Sequence, residues 1–264
     1  MSDTEEIDLG LDSVFTEQPR PPSPEPTTSI YKRENRDGTS DHNDWSEITI
    51  RLVGSHPLWG HYLWNASRAF ASYLDAHPDL YLGRTVLELG AGGGLPGIVA
   101  AKNGARTVVL TDYPDRTLLE NLDFNVNANV PPHESHVQVK GYIWGKPVQP
   151  LLEALGPNAS RYNLIIMSDL IFNHSQHDAL LSTCEETLSV RERSERAEPC
   201  LLVFYTHHRP HLAHRDMGFF SKAQERGWTC EEILTQKFPP MFPEDPGEEE
   251  VRATVHGWRL TRRL

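Results

Sequence analysis

The chain has 264 residues and a formal net charge of −12, long enough to bury one sizeable core without disulfide or metal support. That acidity argues against a general nucleic-acid binder. The three cysteines, Cys184, Cys200 and Cys230, form no Cys-x-x-Cys pair, so they give no zinc-ribbon signal and point to a reducing compartment.

The charge is uneven. Met1–Glu47 holds twelve acids and four bases, and the remainder is close to balanced. Residues 1–45 read as a flexible, Pro-rich arm with five prolines in "PRPPSPEP". Within it, Leu9, Leu11, Val14 and Phe15 fall at roughly helical spacing. The start is acidic and lacks an apolar run with a basic flank, so no secretory signal is expected. No apolar run is long enough to span a bilayer, and the expected setting is the cytoplasm.

From residue 46 onward, strand-like and helix-like segments alternate. "ITIRLVG" reads as a short strand or extended arm, and "LWNASRAFASYLDAH" as a helix ending before Pro78. "TVLELG" is a near-continuous apolar run, the pattern of a strand buried on both faces. A helix over "LPGIVAAKNG" closes at Gly104. "TVVLTD" is a second buried strand, "RTLLENLDFNVNAN" a helix and "HVQVKGYIW" a third strand. "YNLIIMSDLIF" is a fourth strand, and Ile165, Ile166 and Met167 place it near the sheet centre. A helix over "SQHDALLSTCEETLSV", a strand at "CLLVFYTHH" and a helix over "GFFSKAQERG" follow, and "ATVHGWRLTRR" closes as an antiparallel strand. The alternation predicts an α/β fold from 46 to 264: a mostly parallel sheet with helices on both faces and ligands at the carboxyl ends of its strands.

The chemistry centres on "GAGGGLPG", Gly90 to Gly97. Gly90 permits a tight turn out of the strand, and Gly92 lets backbone approach a ligand. A dinucleotide fingerprint wants a small residue at position 95, which is leucine here. Glu88, two residues before the first glycine, is unwelcome beside a pyrophosphate but favourable beside a sulfonium or ammonium. Asp112, twenty residues after Gly92 at the end of the second strand, is placed to accept ribose hydroxyls of either cofactor. Glu88 and Leu95 together favour S-adenosyl-L-methionine over a nicotinamide dinucleotide.

"VLELGAGGGLPGIVAA" followed by "TDYPD" resembles the seven-stranded, Rossmann-like class I S-adenosylmethionine-dependent methyltransferases. "PLWGHYLWNASRAFASYL", "SDLIFNHSQH", "VFTEQPRPPSPEP", "VFYTHHRP" and "MFPEDPGEEE" narrow the resemblance to family-16 protein methyltransferases of fungi. The resemblance implies methylation of the N-terminal glycine and adjacent lysine of translation elongation factor 1-alpha, with no metal, nucleic acid or membrane partner. It also implies that Trp64 lies against the methionine end of the cofactor and that Gly90, Ala91 and Gly92 form a floor beneath it. Asp112 would hold the ribose, Trp144 would flank the adenine and Ser168 would sit near the adenine or the cofactor's centre. A small-amine methyltransferase acting on nicotinamide stands as the enzyme alternative, and a cofactor-binding module without turnover as the non-enzyme one.

"SDLIFNH" falls at the carboxyl end of the fourth strand, the acceptor side of such a sheet. It fits the family's acid-x-x-aromatic pattern through Asp169 and Phe172, and lacks the N/D-P-P-Y/F tetrapeptide of enzymes that methylate base nitrogens. Asp169 reads equally as a group that orients an incoming amine and as a strand-end or helix N-cap acid. Phe172 would line the amine's channel, and Asn173 would add a hydrogen bond. "HHRPHLAH" (His207, His208, His211, His214) has a metal-like spacing that Pro210 interrupts, and a loop bordering the substrate opening is expected there. "PEDPGEEE" reads either as a solvated loop or as a surface for a lysine-rich peptide.

Overall fold

The computed structural model describes residues 24–33, 45–131, 136–157, 159–190 and 197–262. The apolar spacing from Leu9 to Phe15 lies outside the described residues. Among them, two short strands open the chain: β1 (Thr27–Lys32) and β2 (Glu47–Leu52), paired antiparallel as a separate two-stranded sheet. The stretch read as an arm through residue 45 therefore contains a strand, and Arg33 beyond it clamps Asp75 at 2.9 Å. The reason is alternation. Ile48, Ile50 and Leu52 of β2 point inward and are buried, while Glu47 and Thr49, alternating with them, face solvent.

The main domain follows the expected alternation. Its elements are α1 (Asn65–Ala76), β3 (Thr85–Leu89), α2 (Leu95–Lys102), β4 (Thr107–Asp112), α3 (Arg116–Asn129), β5 (His136–Gly141) and α4 (Gln149–Glu153). They continue with β6 (Leu164–Ser168), α5 (His177–Thr187), β7 (Cys200–Thr206), α6 (Ala213–Glu225), β8 (Trp228–Lys237), α7 (Glu249–Ala253) and β9 (Thr254–Arg262). Seven of the described strands form one sheet in the order β5-β4-β3-β6-β7-β9-β8, in which β9 runs opposite to the other six and so pairs antiparallel with both β7 and β8. The strand β8 escapes the periodicity reading: "WTCEEILTQK" carries exposed Thr229, Glu231, Glu232 and Lys237, as an edge strand does.

Every residue of β3 is buried, and four of the five in β6. Their side chains alternate between two cores. Val86, Val108, Ile166 and Leu202 pack with α1 and α2 on one face, while Leu87, Val109, Ile165 and Leu201 pack with α5 and α6 on the other. Each such buried aliphatic side chain stabilises the fold by about 1.5–3 kcal/mol. The helix α2 is apolar all round and buried from Leu95 to Ala101, so it can occupy only an interior position. By contrast α3 starts on an Asp115 side chain that accepts from the Thr117 and Leu118 amides.

A column of asparagines on α3 joins the hairpin to the domain. Asn125 accepts from the Arg51 amide at 2.8 Å and donates to the Arg51 carbonyl at 2.8 Å. Asn129 does the same with Thr49, and Asn121 donates to the Arg51 carbonyl as well. Spaced four apart on one helical face, these amides satisfy the free edge of β2 as a third strand would. Asn125 also donates to the Gly93 carbonyl at 3.1 Å, which ties the hairpin to the glycine loop.

Candidate functional site

A cavity of about 420 Å³ opens at the carboxyl ends of β3, β4, β5 and β6. Chain direction explains its place. From the central β3 the sheet grows outward through β4 on one side and β6 on the other, which leaves a crevice above the switch. The segment Pro57–Trp64, just before α1, closes it from the side.

The cavity brings together all but one of the residues that the sequence nominates. Trp64, Gly90, Ala91, Gly92, Asp112, Trp144, Ser168, Asp169 and Phe172 all line it, with Asn173 beside them. Glu88 does not. It is fully buried beneath the loop, where its Oε2 accepts from the Gly97 amide at 2.8 Å in the first turn of α2. Burial pushes its pKa up to about 8, against the Gly97 hydrogen bond and with the charge of Asp112 adding. Glu88 is thus a buried tie between β3 and α2 that holds its proton to higher pH than an ordinary carboxyl, and it does not face the cavity.

The loop's glycines divide the work. Gly90 and Gly92 hold left-handed backbone at φ 59° and 55°. A Cβ on Gly90 would meet Leu170 at 2.6 Å and Trp144 at 3.1 Å, whereas one on Gly92 would project into open space. Gly92 therefore leaves its backbone bare toward the cavity. The close-packing role expected at position 95 falls to Gly97, where a Cβ would lie 2.2 Å from Leu110 and 2.5 Å from Glu88. Leu95 itself is buried in the core.

Asp112 accepts the Gly92 amide at 2.7 Å on Oδ2 and the Tyr113 amide at 2.7 Å on Oδ1. Burial raises its pKa despite both amides and the nearby His56. Each oxygen keeps a further acceptor position. Across β3, the Ser168 hydroxyl is buried and has no hydrogen-bond partner among the described residues.

Asp169 is not a helix N-cap: it follows directly on the last residue of β6, at the strand end. It sits at φ 57°, and Trp59 at φ 62° is its only non-glycine companion in that region among the described residues. Both line the cavity, and such strain concentrates where the surroundings over-determine a conformation. The end of β7 supplies the constraint. The Asp169 amide donates to the Phe204 carbonyl at 2.7 Å, Oδ1 accepts the Thr206 amide at 3.2 Å, and Oδ2 lies 3.0 Å from His208 Nε2.

The histidine run divides rather than converging. His207 bonds the buried Asp216 at 2.7 Å, which His174 also meets at 2.7 Å, while His208 turns to Asp169. Among the described residues no group of three or more His, Cys, Asp or Glu side chains is placed to hold a metal. Sequence reading also missed an aromatic wall in which Tyr62, Trp64 and Phe242 meet at 5.2–6.0 Å. Phe242 stands directly before the acidic "PEDPGEEE" loop, a proximity that only the fold reveals.

This arrangement of sheet, glycine loop and strand-end acid is that of methyltransferases, and the comparisons agree. A putative methyltransferase solved with SAH superposes with a TM-score of 0.52 at 13% identity, covering 84% of this chain and 57% of that one. A putative RNA methyltransferase from Pyrococcus horikoshii gives 0.51 at 18%, covering 80% and 89%. At such identities the likeness is one of fold.

The family model described as "Lysine methyltransferase" matches residues 43–226, and the chain belongs to that family. A protein N-terminal and lysine N-methyltransferase of Cryptococcus neoformans var. neoformans serotype D (strain B-3501A) is 46% identical over 275 residues, spanning 99% of this chain and 91% of its own. Its namesake in Schizosaccharomyces pombe is 43% identical over 245 residues, spanning 92% and 91%. The protein is accordingly a methyltransferase. Among the described residues no helix is long and apolar enough to cross a membrane.

Proposed function

We propose that this protein uses S-adenosyl-L-methionine to methylate protein amines, an N-terminal α-amine and a lysine, with translation elongation factor 1-alpha as the substrate. The names of the relatives support the acceptor type, and the sequence resemblance supports the particular protein. The observation that carries the reading is a single cavity with Asp112 on one side of β3 and Asp169 on the other. In this reading one acid would serve a ribose and the other an amine.

The residues fit the cofactor. The space over Gly92 leaves room for close approach, and the orphaned Ser168 hydroxyl awaits a partner. The bound group supplies a methyl on a sulfonium, open to in-line attack by a neutral amine. Gly90, Ala91 and Gly92 would form the floor, Asp112 would take the ribose hydroxyls on its free acceptor positions, and Trp144 would cover the adenine. Trp64 would bound the methionine end. Asp169 would accept a hydrogen bond from the acceptor nitrogen and aim its lone pair, while Phe172 keeps water from the channel. Aligning the reacting atoms is the larger part of such catalysis. An α-amine with a pKa of ~8 sheds its proton far more readily than a lysine at ~10.4, so the N-terminal position is expected to react first.

Mass spectrometry of elongation factor 1-alpha incubated with the protein and S-adenosylmethionine tests this. Methyl gains on the N-terminal peptide, lost in Asp112→Ala, are expected. Turnover of nicotinamide in their place overturns the protein-substrate reading.

A further inference from the structure

His208 stands just behind the cavity wall and touches two residues that form it. Its Nε2 lies 3.0 Å from Asp169 Oδ2, and its ring packs 4.8 Å from that of Trp64 at 60°. The groups that bear on it come from several neighbouring elements: Asp169 after β6, Asp216 of α6, Asp245 in the loop after β8, and the uncharged ring of Trp64. Asp216 is already bonded to His174 and His207. That leaves Asp169 as the acid His208 contacts directly. Burial alone would lower the His208 pKa, yet the charge and hydrogen bond of Asp169, with Asp216 and Asp245 behind it, leave it raised above 6.5.

We infer that His208 is a positioning residue for methyl transfer: it fixes the Asp169 carboxylate at the cavity wall, and its proton competes with the acceptor's ammonium for that carboxylate. The inference rests on the reading that the acceptor is a protein amine. While His208 is protonated, its positive charge neutralises Asp169 and weakens the hold on an incoming cation. After it loses that proton, the remaining Nε2–H still donates to Oδ2, so the carboxylate keeps its place and regains its full pull. Affinity for the ammonium form of the acceptor therefore rises with pH through the His208 titration, until the acceptor itself deprotonates near ~8. Proximity in sequence conceals the pairing, because His208 follows Asp169 by 39 positions and meets it only through the β6–β7 register.

The test uses the full chain with S-adenosylhomocysteine and a synthetic peptide bearing a free N-terminal glycine followed by lysine. The His208 ring is titrated by NMR, its signals assigned by their loss in His208→Gln. The proposal expects the His208 pKa to fall in Asp169→Asn, and to fall in the wild type when the peptide is added. In turnover, the wild-type KM for the peptide should drop by about tenfold across the titration, the effect of one pKa unit of coupling. His208→Gln keeps an N–H donor without a charge and should flatten that dependence. An unchanged His208 pKa in Asp169→Asn overturns the pairing. A KM that keeps its pH dependence in His208→Gln overturns the competition. If the peptide neither binds nor gains methyl groups, the protein-amine reading fails, and the Asp169→Asn titration alone supports or overturns the hold of His208 on Asp169.

Discussion

The two sides of the cavity are built from different materials. On the β4 side the wall is mostly backbone: glycines in left-handed conformation and an aspartate held by two amides, all within one strand-loop-helix-strand run. On the β6 side the wall is side chain: Trp64, Asp169 and Phe172, backed by His208 and Phe242, from widely separated parts of the chain. Backbone geometry suits a constant partner and leaves little to vary. Side chains braced by other side chains can change with the substrate while the first wall stays as it is.

Asp112→Ala should give the largest effect on that comparison. It strips the Gly92 amide of its acceptor and the cofactor of the ribose anchor proposed above. A fall in cofactor affinity of about 100-fold, or ~3 kcal/mol, is expected by calorimetry. Asp169→Ala should leave cofactor affinity within about twofold and lower kcat/KM for the acceptor by about 10–100-fold, the usual scale for a misaligned reactant. Equal losses of cofactor affinity in the two variants would erase the distinction between the walls.

Two glycines sharpen it further. Gly97→Ala forces a methyl group against Leu110 and Glu88 and should cost about 1–3 kcal/mol of stability, read as a lower Tm. Gly92→Ala meets no neighbour, so only the left-handed backbone, about 1–2 kcal/mol, opposes it, while cofactor affinity suffers directly. A last prediction concerns the pH dependence set by Glu88. Its pKa is raised from 4.5 to about 8, so the folded state binds a proton the unfolded chain has released. That contribution is fully present below pH 4.5 and is lost as pH rises toward 8. Glu88→Gln should flatten this part of the Tm–pH curve, and an unaltered slope would count against a neutral Glu88.

Much of this was legible because it is local. The buried strands, the glycine loop and the acid ending β4 are consecutive in the chain, and the apolar runs of β3, β4 and β6 declare a two-faced core. What escaped is long-range or of mixed polarity. An edge strand such as β8 has no continuous apolar pattern, and β1 is a strand only because β2 pairs with it. Glu88 looked like a cavity acid because its position in sequence says nothing about which way a buried side chain turns. Nor does a histidine-rich run disclose that His207 and His208 part toward different aspartates.

The asparagine column on α3 gives the N-terminal hairpin a reach beyond its own strands. Asn125 shares its amide between Arg51 and Gly93, and Ile50 lies directly beneath Gly93, where a Cβ would come within 2.5 Å of it. A protease cut or a trimmed gene that removed residues before 53 would take away a prop under the glycine loop along with the buried side chains of β2. Such a loss would reach the ligand site without altering a residue that lines it. The acidic leader, dispensable by composition, ends in a strut.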